Sequence, residues 1–244
     1  MMTHEQDRRG AGAHVLELHD ISVDYHRGRG TVHALRSVSL AVDEGESVAV
    51  MGPSGCVKST LLGVLGLTIR PDGGTLLIDS EHAPTGRTPR ARARNRLIGM
   101  IPQDYAVVDQ LTALANVSLP LEYARPRVKK KDRKERARKA LSAVGIEWAS
   151  NQKPSQMSGG ERQRVAVARA LINHPRCILA DEPTASLDSE TAHDITSLLL
   201  SQARQAGGCL VVATHDPRVA NACDRVLTMT DGSLMGPEGT PNAS

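Results

Sequence analysis

The residues with the clearest chemical potential lie in a glycine-rich segment, GPSGCVKST (52–60), which stands between two apolar runs. The backbone N–H groups of such a loop, together with the positive end of a following helix, suit a phosphate group. Lys58 would reach the β- and γ-phosphates of a nucleotide, and the hydroxyl of Ser59 would hold Mg²⁺. The segment therefore predicts a phosphate-binding loop between a buried strand and a helix.

Val57 departs from the usual pattern of such loops. The pattern G-x-x-x-x-G-K-[ST] has glycine at the position that Val57 occupies in this chain. Glycine lets the backbone approach the phosphates without a side chain, whereas a β-branched valine restricts the backbone. Three interpretations stay open: a local adjustment with weakened nucleotide affinity, a site that no longer turns over, and an ordinary turn between a strand and a helix.

Two acidic residues end a second apolar run, CILADEP (177–183). Asp181 can hold Mg²⁺ through its water shell, and Glu182 can polarise an attacking water molecule. A phosphoryl-transfer site needs both a metal holder and a group that positions water. Without the glycine-rich segment, a plain turn at the end of the strand would be the favoured interpretation.

The segment MSGGERQR (157–164) has the signals of a helix start. Ser158 and Glu161 fit a capping box, in which each side chain satisfies a backbone N–H group of the other residue. Gly159 and Gly160 leave further N–H groups bare at the positive end of the helix, where a phosphate can bind. Capping and phosphate binding are compatible at such an end.

Buried strands must position these residues. Four apolar runs, at 47–51, 98–102, 177–183 and 209–215, alternate with helical patterns. This alternation is typical of an α/β fold with a mainly parallel sheet and helices on both faces. Ligands of such sheets bind beyond the carboxyl ends of the strands. Because three of the four runs lead into GPSGCVKST, DEP and THD, these polar sequences are expected to converge.

The remaining elements follow from weaker patterns of alternation, helical period and turn residues. The predicted elements are half-buried strands over 15–25 and 31–42, a strand over 75–80, a helix late in 87–97, helical structure from 104 to 157, helices over 158–173 and 189–207, and a hairpin over 225–235 that turns at Asp231-Gly232. No internal repeat is visible.

Composition excludes several classes of protein. With 244 residues, 40% of them hydrophobic, the chain can bury a core and is neither disordered nor collagen-like. No apolar run reaches the roughly 18–20 residues that span a bilayer, and the polar first 14 residues lack a signal-peptide pattern. The four cysteines form no C-x-x-C pair, which disfavours a zinc knuckle or a disulfide framework and fits a reducing cytosol.

The net charge of +3 hides one basic segment, 125–139, which holds ten Lys and Arg residues and two acids. Three interpretations stay open: a solvated helical face, which is favoured; a contact with anionic lipid headgroups, worth about 1 kcal/mol per basic residue; and a nucleic-acid site. Nucleic acid is the weakest of these, because stacking needs interleaved aromatic residues and only Tyr123 and Trp148 flank the segment. No nucleic-acid partner is expected.

The ordered set of motifs resembles that of ABC-type ATPases. GPSGCVKST, Gln103, MSGGERQR, ILADEP, SLD (186–188) and THD (214–216) occur in the order of that family, across roughly residues 15–235. The resemblance implies a P-loop NTPase cassette with a mainly parallel core sheet, an antiparallel β part and an inserted helical subdomain at about 104–173. It further implies a single ATPase domain over 15–235 and flexible tails at 1–14 and 236–244.

The resemblance also implies roles for individual residues. Glu182 matches the catalytic base, and His215 the histidine that contacts the γ-phosphate. Gln103 matches the glutamine that senses Mg²⁺ and water, and it joins Ser59 and Asp181 as a metal residue. Each has a plainer interpretation: Gln103 as a polar strand terminus, and His215 as a structural residue.

Nucleotide binding is implied for a larger set. Tyr25 matches the aromatic residue that stacks on adenine, although strand packing explains it equally well. Asp188 matches the acid that links two ATP sites, although it also suits a helix N-terminus. The full set is Tyr25, Gly52, Pro53, Ser54, Gly55, Cys56, Val57, Lys58, Ser59, Thr60, Ser158, Gly159, Gly160 and Asp188.

In this family the signature of one subunit faces the phosphate loop of another. The resemblance therefore implies a head-to-tail dimer that encloses two ATP with Mg²⁺. The second subunit is either another copy of this chain (a homodimer) or a paired ABC subunit. It implies a separate transmembrane permease and a cytoplasmic chain, peripheral on the inner face of the membrane. TVHALRSVSL (31–40) and LTALANVSLPL (111–121) most resemble the macrolide-exporter and lipoprotein-release subgroup, which implies export or envelope-directed work. The alternatives are a soluble non-transport ABC ATPase and, because of Val57, a weakly active or scaffold cassette.

Overall fold

A computed structural model describes residues 14–28, 30–53, 57–185 and 187–236. Ser54, Gly55 and Cys56 of the predicted phosphate loop lie outside the described residues, as do Ser186 and nearly all of the two predicted tails. The strands are β1 His14–Arg27, β2 Gly30–Asp43, β3 Ser47–Met51, β4 Gly73–Ile78, β5 Glu81–His82, β6 Ile98–Ile101, β7 Cys177–Asp181, β8 Cys209–Ala213, β9 Arg225–Thr230 and β10 Ser233–Met235. The helices are α1 Lys58–Leu65, α2 Arg87–Leu97, α3 Ala113–Glu122, α4 Lys130–Ala143, α5 Gly159–Leu171, α6 Ser189–Gln205 and α7 Pro217–Asn221, with 3₁₀ turns at Glu147–Ala149 and Pro154–Gln156.

The predicted parallel sheet is confirmed, and its strand order explains the site. The six strands lie in the order β10-β9-β3-β8-β7-β6. All neighbours from β9 to β6 are parallel, and β10 closes the predicted hairpin as the one antiparallel strand. The strands β3, β8 and β7 are therefore adjacent and end at the same edge. The polar sequences that follow them come together there, as predicted.

A second sheet of four antiparallel strands, in the order β2-β1-β4-β5, is the antiparallel part of the fold. Alternate residues of β1 and β2, such as Leu16, Leu18 and Leu40, are fully buried. They join one face of the core sheet and α1 in a single apolar cluster. The half-buried strands predicted from alternation are confirmed.

The helices α3, α4 and α5 pack together and share a second apolar cluster with the other face of the core sheet. The predicted helical structure from 104 to 157 is wrong in part, because residues 104–112 form turns and the first helix of this segment begins at Ala113. Thr112 caps that helix, since its side chain accepts a hydrogen bond from the N–H of Ala115 at 3.3 Å. The division at 104–173 into a separate subdomain stays a prediction.

Two boundaries and one short helix differ from the sequence prediction. β4 ends at Ile78, because Asp79 and Ser80 adopt positive φ values of 51° and 62° and turn the chain. The helix α2 spans all of 87–97 rather than its later part. The short helix α7 was missed, although Asp216 accepts a capping hydrogen bond and Pro217 occupies its first position.

The basic segment contributes most of α4, of which only Ala137 and Leu141 are buried. Lys139 pairs with Glu135 along the helix at 3.1 Å, and Arg133 contacts Glu122 of α3 at 3.4 Å. The remaining basic side chains of the helix are exposed, which fits the solvated helical face. Within the part of the chain that the structure describes, no helix has both the length and the apolar character needed to cross a membrane.

Candidate functional site

The lysine of the glycine-rich segment points back into its own loop. Lys58 is the first residue of α1, and its Nζ donates hydrogen bonds to the carbonyl oxygens of Gly52, at 2.6 Å, and Pro53, at 3.4 Å. The side chain is only 9% exposed. The ammonium group therefore lies at the end of β3, beside the first residues of the segment in which the sequence predicted a phosphate site.

Val57 is the cap of α1 and has a left-handed backbone, with a φ of 65° and a ψ of 21°. Its carbonyl accepts the first hydrogen bonds of the helix, from the N–H groups of Thr60 and Leu61. A β-branched residue rarely adopts this conformation, and such strain is of the order of 1–3 kcal/mol. Packing of the half-buried side chain against the apolar core offsets part of that strain. The backbone geometry thus explains why the loop pattern has glycine at this position.

Ser59 and Asp181 form a pair of oxygen ligands at the edge of the sheet. The Oγ of Ser59 donates a hydrogen bond to Oδ2 of Asp181 at 2.6 Å. Ser59 lies in the first turn of α1, and Asp181 is the last residue of β7. A hydroxyl and a carboxylate at this separation are hard oxygen donors of the kind that Mg²⁺ prefers.

Glu182 is held from three sides. Its Oε2 lies 2.8 Å from Nδ1 of His215, and it accepts longer hydrogen bonds from the N–H of His215 at 3.3 Å and the hydroxyl of Thr214 at 3.4 Å. Its Oε1 lies 4.0 Å from Nζ of Lys58, and the side chain is 11% exposed. Glu182 has a positive φ of 46°, and its own N–H donates to the carbonyl of Ala213. We call Lys58, Ser59, Asp181, Glu182 and His215 the strand-end cluster.

Two predicted residues lie beside this cluster. The hydroxyl of Tyr25 is 3.4 Å from Oγ1 of Thr60, and its side chain remains partly exposed at 39%. Gln103 follows β6 in an exposed turn. Because Ile101 of β6 pairs with Ala180 of β7, Gln103 lies at the same edge of the sheet as Asp181.

The predicted capping box at the start of α5 is confirmed. The Oγ of Ser158 accepts a hydrogen bond from the N–H of Glu161 at 3.3 Å, and the carboxylate of Glu161 accepts one from the N–H of Ser158 at 2.8 Å. A cavity of about 360 Å³ opens at this helix end, and its lining includes Ser158, Gly159, Gly160, Asp188 and Thr191. We call it the helix-cap cavity. None of the described residues of 52–60 lines it.

Asp188 caps α6, as its plainer interpretation predicts, and it also lines the helix-cap cavity. Its carboxylate accepts hydrogen bonds from the N–H groups of Thr191, at 2.9 Å, and Glu190, at 3.1 Å. These hydrogen bonds, first that of Thr191, lower the pKa of Asp188 below its usual value. The carboxylate is therefore negative at neutral pH.

Sequence reasoning missed three arginines around the site. Arg218 donates to both carboxylate oxygens of Asp216 and to the hydroxyl of Ser189, so it connects the THD turn to the start of α6. Its hydrogen bond also lowers the pKa of Asp216. Arg162 and Arg169 of α5 contact the turn that follows Gln103. The spacing of Arg162 and Arg169 indicates that they share one face of α5. It does not indicate that this face contacts a turn far away in the sequence.

Comparison with known proteins agrees with this geometry. A sequence model of the ABC transporter family matches residues 35–185. The chain is 43% identical to an uncharacterized ABC transporter ATP-binding protein of Bacillus subtilis, YvrO, over 222 residues, which cover 91% of this chain and 96% of that protein. It is 40% identical to the lipoprotein-releasing system ATP-binding protein LolD of Legionella pneumophila, over 92% of this chain and 98% of that protein.

Solved structures give the same result. The dimeric ATP-binding cassette MJ0796, in a post-hydrolysis state bound to ADP and Pi, has a TM-score of 0.84 at 39% identity and covers 89% of this chain and 95% of its own. The cassette cbiO1 of Clostridium perfringens, part of the transporter complex cbiONQ, has a TM-score of 0.77 at 27% identity, with 91% and 87% of the two chains covered. The predicted cassette fold is confirmed.

Proposed function

The chain is an ATP-binding, ATP-hydrolysing member of the ABC transporter family, and from that premise we propose that two cassettes close head to tail around two ATP and drive a separate membrane permease. One observation carries the proposal: the strand-end cluster and the helix-cap cavity are separate half sites on the same chain. A second copy, or a paired ABC subunit, turned head to tail places the cavity of one chain against the cluster of the other. Dimerisation of the neighbour MJ0796 supports this arrangement.

In the proposed site Lys58 exchanges the carbonyl oxygens of Gly52 and Pro53 for the β- and γ-phosphates of ATP. Its ammonium group is already desolvated, so little reorganisation is needed when the phosphates arrive. Tyr25, which lies beside Thr60, supplies a ring face for the adenine. The remaining loop residues, Gly52, Pro53, Ser54, Gly55, Cys56, Val57 and Thr60, are assigned to phosphate binding by their place in the motif.

Ser59 and Asp181 fit Mg²⁺, since their oxygens already lie within 2.6 Å of each other. They would hold the ion, with Gln103 at the same edge. When bound, Mg²⁺ would neutralise the charge that develops on the phosphate oxygens. Ser59 and Asp181 would then exchange their mutual hydrogen bond for contacts to the ion.

Glu182 acts as the general base in the proposed reaction. Its carboxylate accepts a proton from the attacking water, while the 2.8 Å contact with His215 and the N–H of that residue keep the carboxylate in place. General-base catalysis contributes about 10²- to 10⁴-fold to rate. His215 is largely exposed, so its ring is also free to contact the γ-phosphate once the site closes.

Val57 weakens the site without removing its chemistry. The left-handed backbone at this position is strained, and we propose that the β-branched side chain limits how closely the loop can approach the phosphates. Glu182 and His215 nevertheless keep the contact that catalysis needs. We therefore propose reduced rather than absent turnover, and the same strain is the observation that favours the second candidate, a weakly active cassette whose paired subunit performs most of the hydrolysis.

The permease has a suitable docking surface in a groove of about 910 Å³ between α2 and the end of α3. An adjoining groove of about 550 Å³ extends it. Among the described residues, no acidic residue lines the two grooves. Seven arginines line them: Arg87, Arg92, Arg94, Arg96, Arg125, Arg136 and Arg169. We call this surface the arginine groove. Tyr123 stands at its rim, 69% exposed.

The chemistry of the arginine groove favours an acidic protein segment. Arginine forks bind carboxylates in two-point contacts, and Ile98, Met100 and Pro120 add an apolar floor. We propose that a cytoplasmic segment of the permease, rich in Asp or Glu, docks there and holds the cassette on the inner face of the membrane. Similarity to LolD, a lipoprotein-releasing system protein by name, supports export or envelope-directed work.

The substitution Glu182→Gln tests the proposed function. It should lower the rate of ATP hydrolysis by about 10²- to 10⁴-fold and leave ATP bound in a stable dimer, as measured by light scattering with MgATP. Glu135→Gln, on the exposed face of α4, is the matched control and should hydrolyse ATP like the unchanged chain. Unchanged hydrolysis in Glu182→Gln would remove the assignment of the base.

A further inference from the structure

Two arginines of α5 contact the turn that follows Gln103. Arg162 and Arg169 are seven residues apart, so they lie on the same face of the helix, about 10 Å apart along its axis. The turn, residues 103–106, follows β6 at the edge of the sheet. We call it the glutamine turn. The helix that begins at the helix-cap cavity therefore also contacts the segment that carries Gln103.

Arg169 binds the backbone of the glutamine turn. Its guanidinium donates to the carbonyl of Tyr105 at 2.8 Å and to the carbonyl of Ala106. Tyr105 and Ala106 have positive φ values of 61° and 45°, a left-handed conformation that non-glycine residues adopt only with strain. One planar fork thus satisfies two neighbouring carbonyls of a strained turn.

Arg162 holds the side chain of the same turn. Its guanidinium carbon lies 5.8 Å from the centre of the Tyr105 ring, within the range of a cation–π contact. The Nε of Arg162 is buried and has no hydrogen-bond partner within the described part of the chain. Together, Arg162 and Arg169 thus contact both the side chain and the backbone of the glutamine turn.

We propose that Arg162 and Arg169 are positioning residues that fix the glutamine turn to α5, so that Gln103 and Ser158 move as one body. The inference rests on the proposed function, because it gives these two residues different partners in the dimer. Gln103 belongs to the ATP site of its own chain, whereas Ser158 serves the ATP bound by the other chain. We call the contacts of Arg162 and Arg169 with the glutamine turn the clamp. Through the clamp, ATP binding at one site affects ATP binding at the other.

The coupling has a simple physical basis. A ligand that shifts Gln103 toward its Mg²⁺ and water also shifts α5, and with it the N–H groups that the second ATP requires. Two sites linked through one rigid element bind cooperatively, and the Hill coefficient has an upper limit of two, the number of sites. Contacts along such a link contribute about 2- to 30-fold in coupling. An arginine that only stabilised the fold would not change the Hill coefficient.

The test is the ATP dependence of hydrolysis in Arg169→Met, Arg162→Met and Arg169→Lys. We expect a Hill coefficient above one in the unchanged chain, a clearly lower value in both methionine variants, and a fall in kcat of about tenfold. Arg169→Lys keeps the charge and one donor, so it should give an intermediate Hill coefficient. Arg133→Met, which removes a guanidinium that joins α3 to α4, is the control and should keep the cooperativity of the unchanged chain.

The outcomes separate the inference from the proposed function. If the unchanged chain does not hydrolyse ATP, the proposed function fails. If it hydrolyses cooperatively and the Arg169 and Arg162 variants keep that cooperativity, the clamp is wrong while the ATPase stands. A loss of cooperativity in Arg133→Met as well would overturn the clamp, because general loosening of the helical region would then explain all three variants. Melting temperatures identify any variant that fails to fold. If a methionine variant does not fold, the Hill coefficient of Arg169→Lys decides the test.

Discussion

The strand-end cluster and the helix-cap cavity are the two halves of one proposed site, yet they are held in different ways. The cluster stands on three adjacent buried strands, and Lys58 and Glu182 are about one-tenth exposed. The cavity opens at the surface and depends on two helix caps, Ser158 and Asp188, and on the packing of α5. The cluster on the buried strands carries the proposed chemistry, and the cavity at the surface presents the helix end to a partner.

The largest expected effect comes from a charge placed in the cavity. Ser158→Asp keeps a good helix cap but sets a carboxylate where a triphosphate should bind. At a separation of about 4 Å and an effective dielectric constant near 20, such repulsion reaches about 4 kcal/mol, so we expect hydrolysis to fall by about 100-fold or more. Ser158→Asn, which caps equally well without charge, is the matched control.

In the Ser158→Asp variant, binding of one MgATP to the monomer should be unchanged, because the strand-end cluster is intact. Calorimetry measures this directly. Normal hydrolysis by Ser158→Asp would show that the helix-cap cavity does not face a phosphate, and equal losses in the aspartate and asparagine variants would assign the effect to the cap.

The arginine groove tests whether the surface beside α2 and α3 contacts the membrane partner. Arg92→Glu reverses an exposed charge in the groove and should weaken assembly with the permease by about tenfold, since it sets like charges together. ATP hydrolysis by the isolated cassette should stay the same. Lys134→Glu, an equal charge change on the exposed face of α4, is the control. Equal weakening by both variants would assign the contact to general charge attraction, as at an anionic lipid surface.

The smallest expected effect concerns the backbone strain at Val57, beside the strand-end cluster. Val57→Gly removes a strained left-handed valine, a gain of about 1–2 kcal/mol, but it loses side-chain packing and adds freedom to the unfolded chain, about 1–2 kcal/mol in the other direction. The melting temperature should therefore change little. The Kd for MgATP should fall a few-fold, because the relaxed loop approaches the phosphates more closely.

Val57→Ala is the control for this prediction, since it removes most of the bulk but keeps the constrained backbone. We expect calorimetry to place its affinity for MgATP near that of the unchanged chain. Weaker binding in Val57→Gly would refute the account of the loop, and an equal gain in the alanine variant would assign the effect to the size of the side chain rather than to backbone freedom.

Sequence reasoning was most successful for the strand-end cluster. Apolar runs that end in polar residues predict buried parallel strands, and parallel strands put their carboxyl ends on one edge, so the convergence of Lys58, Asp181 and Glu182 followed from pattern alone. The order of strands in the sheet did not. The contact between Glu182 and His215 depends on β7 lying beside β8, and many strand orders fit the same pattern.

The contacts of α5 were less predictable because they join distant parts of the chain. The capping box at Ser158 is local, and the sequence predicts it. The hydrogen bond from Arg169 to the carbonyl of Tyr105 joins residues that are 64 positions apart, and no sequence pattern predicts such a contact. The pattern predicts helix over 104–112, where the chain forms turns, because polar residues occur in both structures. Val57 was recognised as a departure, but its left-handed backbone required the structure.

The most direct measurement of the central claim mixes two inactive variants. Lys58→Ala disables the strand-end cluster of one chain, and Ser158→Asp disables the helix-cap cavity of another. In a head-to-tail pair, one of the two composite sites then contains an intact cluster and an intact cavity. The account predicts that the mixture hydrolyses ATP at a rate that neither variant reaches alone. A rate equal to the sum of the two separate rates would contradict it.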